Sequence, residues 1–184
     1  FERLVEQLDV EGRRTELLVR LSEIYDGRLS RPDRAIDSLH AALTIDEENR
    51  TVLKGLRRLY KAGDQEEPLL DVTRKLATLA RRPLEARELW TAVQGLCEKR
   101  SDHEGMLEAT RKVLELAPSD EAAAERLMDL LLEVGEYDEL AERLQERARE
   151  TTAPDKTASN LVRLAAIRER HLDDPKGALA AYLE

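Results

Sequence analysis

Apolar side chains recur along the chain at i, i+3, i+4 and i+7, the stripe of an amphipathic helix. Leu17, Leu18, Leu21, Ile24 and Tyr25 form one stripe over Arg13–Asp26. Ala35, Ile36, Leu39, Ala42 and Leu43 form another over Pro32–Thr44, and Val52, Leu53, Leu56, Leu59 and Tyr60 a third over Asn49–Ala62. The pattern continues over Glu66–Ala80, Pro83–Arg100, His103–Leu116, Ser119–Val134, Tyr137–Glu150, Asp155–His171 and Pro175–Glu184, while Phe1–Leu8 reads as the end of a preceding helix. No stretch alternates polar and apolar residues long enough to predict a strand. The six prolines fall at segment edges, where a missing N–H costs no helical hydrogen bond.

Helices of roughly 10–18 residues are marginal alone in water and must bury their stripes on neighbours. Short turns make consecutive helices antiparallel. The turns also repeat. Leu29-Ser-Arg-Pro-Asp-Arg-Ala-Ile returns as Leu172-Asp-Asp-Pro-Lys-Gly-Ala-Leu, with a weaker copy midway at Arg100-Ser-Asp-His-Glu-Gly-Met-Leu. A second kind of turn, Gly63-Asp-Gln-Glu-Glu and Gly135-Glu-Tyr-Asp-Glu, recurs 72 residues on. Each of these glycines is expected at the helix end that wants a positive φ. A fixed spacing of this kind is the signature of stacked repeats. The expected architecture is all-α: a right-handed α-α superhelix, or solenoid, of about five antiparallel helical hairpins. Their approximate bounds are 13–48, 49–81, 83–118, 119–151 and 155–184, forming one array over 1–184. The chain begins at Phe1 and stops within a predicted helix, so a fragment of a longer protein is expected.

The helix from Arg34 to Asn49 resembles the second-helix consensus of the tetratricopeptide repeat, whose period is about 34 residues. Ala35 and Ala42 match its small positions, and Asp46 and Asn49 its closing turn. Pro118 matches the closing proline, Gly135-Glu-Tyr-Asp-Glu the inner turn, and Tyr25 falls near the first-helix tyrosine. Leu56, Met128, Pro68 and Leu140 depart from the small positions, which keeps related helical repeats, HAT-like ones included, beside this reading. The resemblance implies a protein-binding scaffold in which first helices line a concave groove.

Composition adds limits. Charged residues make up 38% of the 184, aromatics 3%, and the net charge is −9. That balance argues against nucleic acid and acidic membranes as partners, although helical repeats that bind RNA share the period. No apolar run is long enough to span a bilayer. The one cysteine, Cys97, permits no internal disulfide and sits on an apolar stripe as a small core residue. A soluble, cytoplasmic setting is the expectation. His40, His103 and His171 lie far apart, with no ligand set for zinc. Phosphate-loop glycines and a nucleophile elbow are missing from the sequence. No catalytic, metal or cofactor site is therefore expected, and the chain reads as a non-enzyme.

One stretch rises above this background. Arg50-Thr-Val-Leu-Lys-Gly-Leu-Arg-Arg-Leu-Tyr-Lys61 carries five cations and no acid in an acidic chain. Carried over from the resemblance, its groove-facing positions include Arg50, Lys54, Arg57, Tyr60 and Lys61, joined on the next hairpin by Arg87 and Trp90. An aromatic beside an arginine is a frequent hot-spot pair. The expected partner is a protein or an acidic peptide. A bland alternative is a cationic helix neutralised by its acidic neighbours. The family's carboxylate clamp needs paired asparagines, and the sequence offers only Asn49 and the distant Asn160. A different function class is a structural spacer or self-association segment, driven by the apolar stripes of Phe1–Leu8 and Pro175–Glu184.

Overall fold

The computed structural model describes residues 11–184, so the helix end expected at Phe1–Leu8 lies outside the described residues. Ten α-helices occur among them: α1 Glu11–Gly27, α2 Pro32–Leu43, α3 Arg50–Ala62, α4 Glu66–Thr78, α5 Pro83–Lys99, α6 His103–Leu116, α7 Glu121–Val134, α8 Tyr137–Glu150, α9 Pro154–Arg170 and α10 Pro175–Leu183. The described residues contain no strand. Prolines open α2, α5, α9 and α10, where the lost N–H is one a helix leaves unbonded anyway.

The repeated turn motif has a local physical cause. In each helix–turn–helix pair, one residue two places before the second helix adopts a left-handed backbone. These residues are Ser30 (φ 51°), Asp64 (φ 50°), Ser101 (φ 53°), Gly135 (φ 87°) and Asp173 (φ 49°). This kink turns the chain back, and the next amide closes onto the preceding helix. Arg31 N–H donates to the Tyr25 carbonyl at 2.8 Å, Gln65 N–H to that of Tyr60 at 3.0 Å, Glu136 N–H to that of Leu131 at 2.9 Å, and Asp174 N–H to that of Arg168 at 3.0 Å. The expectation for Gly135 holds, but Gly63 lies at φ −94° and the positive φ falls on Asp64. The two glycine turns are out of register by one residue, and the short polar side chain of aspartate tolerates the conformation.

The residue after the kink is the helix cap. Asp102 accepts from Gly105 N–H at 2.9 Å and Asp174 from Gly177 N–H at 2.9 Å. The first copy of the motif has Arg31 in this place, with no side-chain cap. Asn49 and Asp120 cap α3 and α7 in the same way.

Two compact units divide the chain, Phe1–Cys97 and Glu98–Glu184. In the first, α1 packs on α2, α2 on α3 and α3 on α4. Its core is formed by side chains such as Leu39, Val52, Leu56 and Leu76, all at most 2% exposed. Gly55 lets α2 and α3 approach, because a Cβ there would stand 3.0 Å from Leu39 Cδ1. In the second unit, α6 packs on α7, α7 on α8, α8 on α9 and α9 on α10. Leu127, Met128, Leu130, Leu131, Leu144 and Leu164 are fully buried there. Within each unit these helices thus pack on their neighbours in sequence, as repeats do.

Candidate functional site

The cations of α3 follow from its sequence. With apolar residues at 52, 53, 56, 59 and 60 facing the core, residues 50, 54, 57, 58 and 61 fall on the remaining surface. Arg50 reaches across to α5, where its Nη2 donates to Glu85 Oε1 at 2.6 Å. Lys54, one turn on, approaches the same oxygen at 3.2 Å. Hydrogen bonds from Arg50 first and Lys54 second hold the Glu85 carboxyl below its ordinary value. Arg58 turns the other way and pairs with Asp26 on α1 at 2.6 Å. Arg57 and Lys61 have no ionic partner among the described residues.

These groups border a groove of about 450 Å³ within the first unit. Lys54, Arg57, Arg58 and Lys61 line one wall and Glu85 and Glu88 the other, over the buried side chains of Leu76 and Leu89. Two of the expected site residues sit elsewhere. Tyr60 is 4% exposed and Trp90 5%, so both rings are packed inside. The Tyr60 hydroxyl lies 2.6 Å from His40 Nε2, and burial raises its pKa above the ordinary 10.0. Arg87 is exposed on α5 but does not line this groove. The structure therefore gathers Lys54, Arg57 and Lys61 into one groove, ties Arg50 to its far wall, and buries the two aromatics.

Sequence reasoning missed Leu76, Glu85, Glu88 and Leu89. A signal existed for Glu85: it follows Arg50 by 35 residues, about one hairpin step, which places the two side by side on successive first helices.

The second unit has a larger cavity, of about 780 Å³, but its arginines are paired. Arg111 meets Glu139, Arg143 meets Glu139, and Arg147 meets Glu121 at 2.7 Å. Helix α7 inverts the charge of α3. Glu121, Glu125 and Asp129 stand 71 residues after Arg50, Lys54 and Arg58. Arg163 on α9 pairs with both Glu125 and Asp129. Of the cations lining this cavity only Lys156 has no ionic partner among the described residues, whereas in the first unit Arg57 and Lys61 stand together without one.

The histidines are dispersed: His40 against Tyr60, His103 3.8 Å from Glu133, and His171 stacked on Tyr137 with ring centroids 3.9 Å apart. Among the described residues no group of three or more His, Cys, Asp and Glu could hold a metal ion. No described helix is long and apolar enough to cross a membrane.

No family model matches the chain, and no curated protein matches its sequence. Solved structures do resemble it. A chain of the structure of Naa15/Naa10 bound to HypK-THB is similar at 16% identity and TM-score 0.60, covering 93% of this chain and 29% of that one. MamA is similar at 14% identity and TM-score 0.47, covering 94% and 90%. YrrB, a TPR protein with an unusual peptide-binding site, is similar at 15% identity and TM-score 0.43, covering 89% and 80%. With the ten helices and their repeated turns, the fold is an all-α, TPR-like helical repeat.

Proposed function

We propose that this chain is a non-enzymatic protein-interaction scaffold, and that the groove between α3 and α5 receives an acidic segment of a partner protein. One observation carries the reading. Arg57 and Lys61 stand on adjacent helical turns, in a groove, with no internal counter-ion among the described residues. A chain of net charge −9 has many acids to spare, yet Glu85 and Glu88 on the facing wall form no ion pair with these two cations. A cationic groove focuses local potential even on an acidic protein. The structure of Naa15/Naa10 bound to HypK-THB, similar in fold, is itself an assembly of proteins, which is consistent with this reading.

The test is fluorescence anisotropy with a labelled peptide of alternating glutamate and leucine, against the wild type and Arg57→Glu/Lys61→Glu. Exposed charge contacts contribute about 0.5–1 kcal/mol each, and reversal adds repulsion, so the double variant should bind at least roughly tenfold more weakly. Equal binding by both proteins refutes the assignment.

A second reading rests on α10, where Leu179, Tyr182 and Leu183 are 59%, 52% and 78% exposed. An apolar face of this kind supports self-association. Sedimentation equilibrium should then show mass rising with concentration and falling back in Leu179→Glu/Leu183→Glu. A mass independent of concentration refutes it.

A further inference from the structure

Five cations line the exposed side of α3, but they are not equivalent. Arg58 is diverted to Asp26, and one carboxylate oxygen of Glu85 lies 2.6 Å from Arg50 and 3.2 Å from Lys54. Glu85 is half-buried in the groove wall, with 27% of its side chain exposed, and is held ionised by the two donors. It therefore occupies the position that a ligand carboxylate would take opposite Arg50 and Lys54. What remains is Arg57 and Lys61, four residues apart, or about 6 Å along the helix axis. Two side chains on one face of an extended segment are spaced by about 6.6 Å, a close match.

We infer that Glu85 is an internal competitor that sets the groove's charge capacity at two carboxylates, restricting it to short acidic motifs. The inference rests on the acidic-segment reading above and adds what limits it. The spacing selects a partner segment whose acids alternate with another residue. A longer acidic tract in the wild type meets Glu85 and Glu88 instead of further cations, so its extra charges gain nothing. Without the Glu85 charge, Arg50 and Lys54 become available and the reading frame extends by two turns along α3. The wild-type arrangement thus discriminates against polyacidic tracts, which otherwise bind any basic patch.

The experiment compares two fluorescein-labelled peptides, one with two glutamates alternating with leucine and one with four. Wild type should bind them within about twofold of each other. Glu85→Gln should bind the four-glutamate peptide about tenfold more tightly than the two-glutamate peptide, two added exposed contacts being enough for that ratio. Adding Lys54→Gln to Glu85→Gln should remove about half of the gain on a logarithmic scale. Glu85→Asp, whose shorter arm cannot span both donors, should fall between wild type and Glu85→Gln, and it covers the case in which Glu85→Gln folds poorly. The inference is overturned if wild type already prefers the longer peptide tenfold, or if neither Glu85 variant changes the ratio. If the two-glutamate peptide still loses binding in Arg57→Glu/Lys61→Glu, that failure leaves the groove assignment standing. If neither peptide binds any of these proteins, both the inference and the assignment fall.

Discussion

Arg31→Asp should stabilise the protein, because it supplies a cap that the first copy of the repeated turn lacks. The backbone already has the right shape: Arg31 lies at φ −116° and ψ 74°, and Asp174, which does cap, lies at φ −113° and ψ 73°. Arg31 is exposed and has no ionic partner among the described residues, so little is lost with it. The capped turns carry Gly177 or Gly105 at the third helical position, and at Gly177 a Cβ would stand 1.9 Å from Asp174 Oδ2. Arg34, at the equivalent place in α2, has that Cβ. Asp120 shows that a cap tolerates it, accepting from Ala123 N–H at 3.1 Å. A cap of this type contributes about 1 kcal/mol, and exchanging a cation for an anion at a helix N-terminus adds roughly 0.3–1 kcal/mol. For a chain of this length about 1 kcal/mol corresponds to a rise of roughly 2–4 °C in Tm. Circular dichroism melting and urea denaturation of the full chain would measure it. An unchanged or lower Tm, with an unchanged m-value, would show that the shared turn geometry does not carry the capping energy.

Other consequences follow from particular contacts. Leu130→Ala, at a site with no solvent exposure, should cost about 2–5 kcal/mol in urea unfolding, and a loss below 1 kcal/mol would contradict close packing in the second unit. Gly135→Ala places a Cβ at φ 87° and should cost about 1–2 kcal/mol, whereas Gly63→Ala, at φ −94°, should cost less than half of that. Glu85 titrates below its ordinary value of 4.5, so the stability it adds is fully present above that pH and is lost as pH falls through the depressed value. The stability difference between wild type and Glu85→Gln should therefore be constant at neutral pH and vanish in acid. A difference that persists unchanged in acid would mean that the ionic bridge is not its source. Tyr60 works in the opposite direction. Its raised pKa makes its contribution full below pH 10.0 and lost at higher pH, so Tyr60→Phe should flatten the alkaline limb of the stability curve.

The helices were legible because 3.6-residue periodicity and proline punctuation are local signals. The repeated turn was legible as a motif before its cause was visible. The copies at 29, 100 and 172 mark the left-handed residue, and those at 100 and 172 also the cap, which a sequence shows only as recurring serine and aspartate. Gly63 misled because a one-residue shift moves the kink to Asp64, and aspartate can bear that φ almost as well as glycine. The site was half legible. A helix with five cations stands out from composition alone, but partition among its charges depends on which acids face it from α1 and α5. Tyr60 and Trp90 read as groove-facing aromatics, yet side chains of that size on short helices are worth more inside, and both are buried. Glu85 was hidden among 39 acids, because only a contact between successive first helices distinguishes it from a solvated carboxylate.

The most direct measurement of the central claim is an amide chemical-shift titration of the full chain with the two-glutamate peptide. The account predicts shifts clustered at Lys54 to Lys61, Leu76 and Glu85 to Leu89, saturating together and disappearing in Arg57→Glu/Lys61→Glu. Saturable shifts centred on any other helix, or their persistence in the charge-reversed protein, would contradict it.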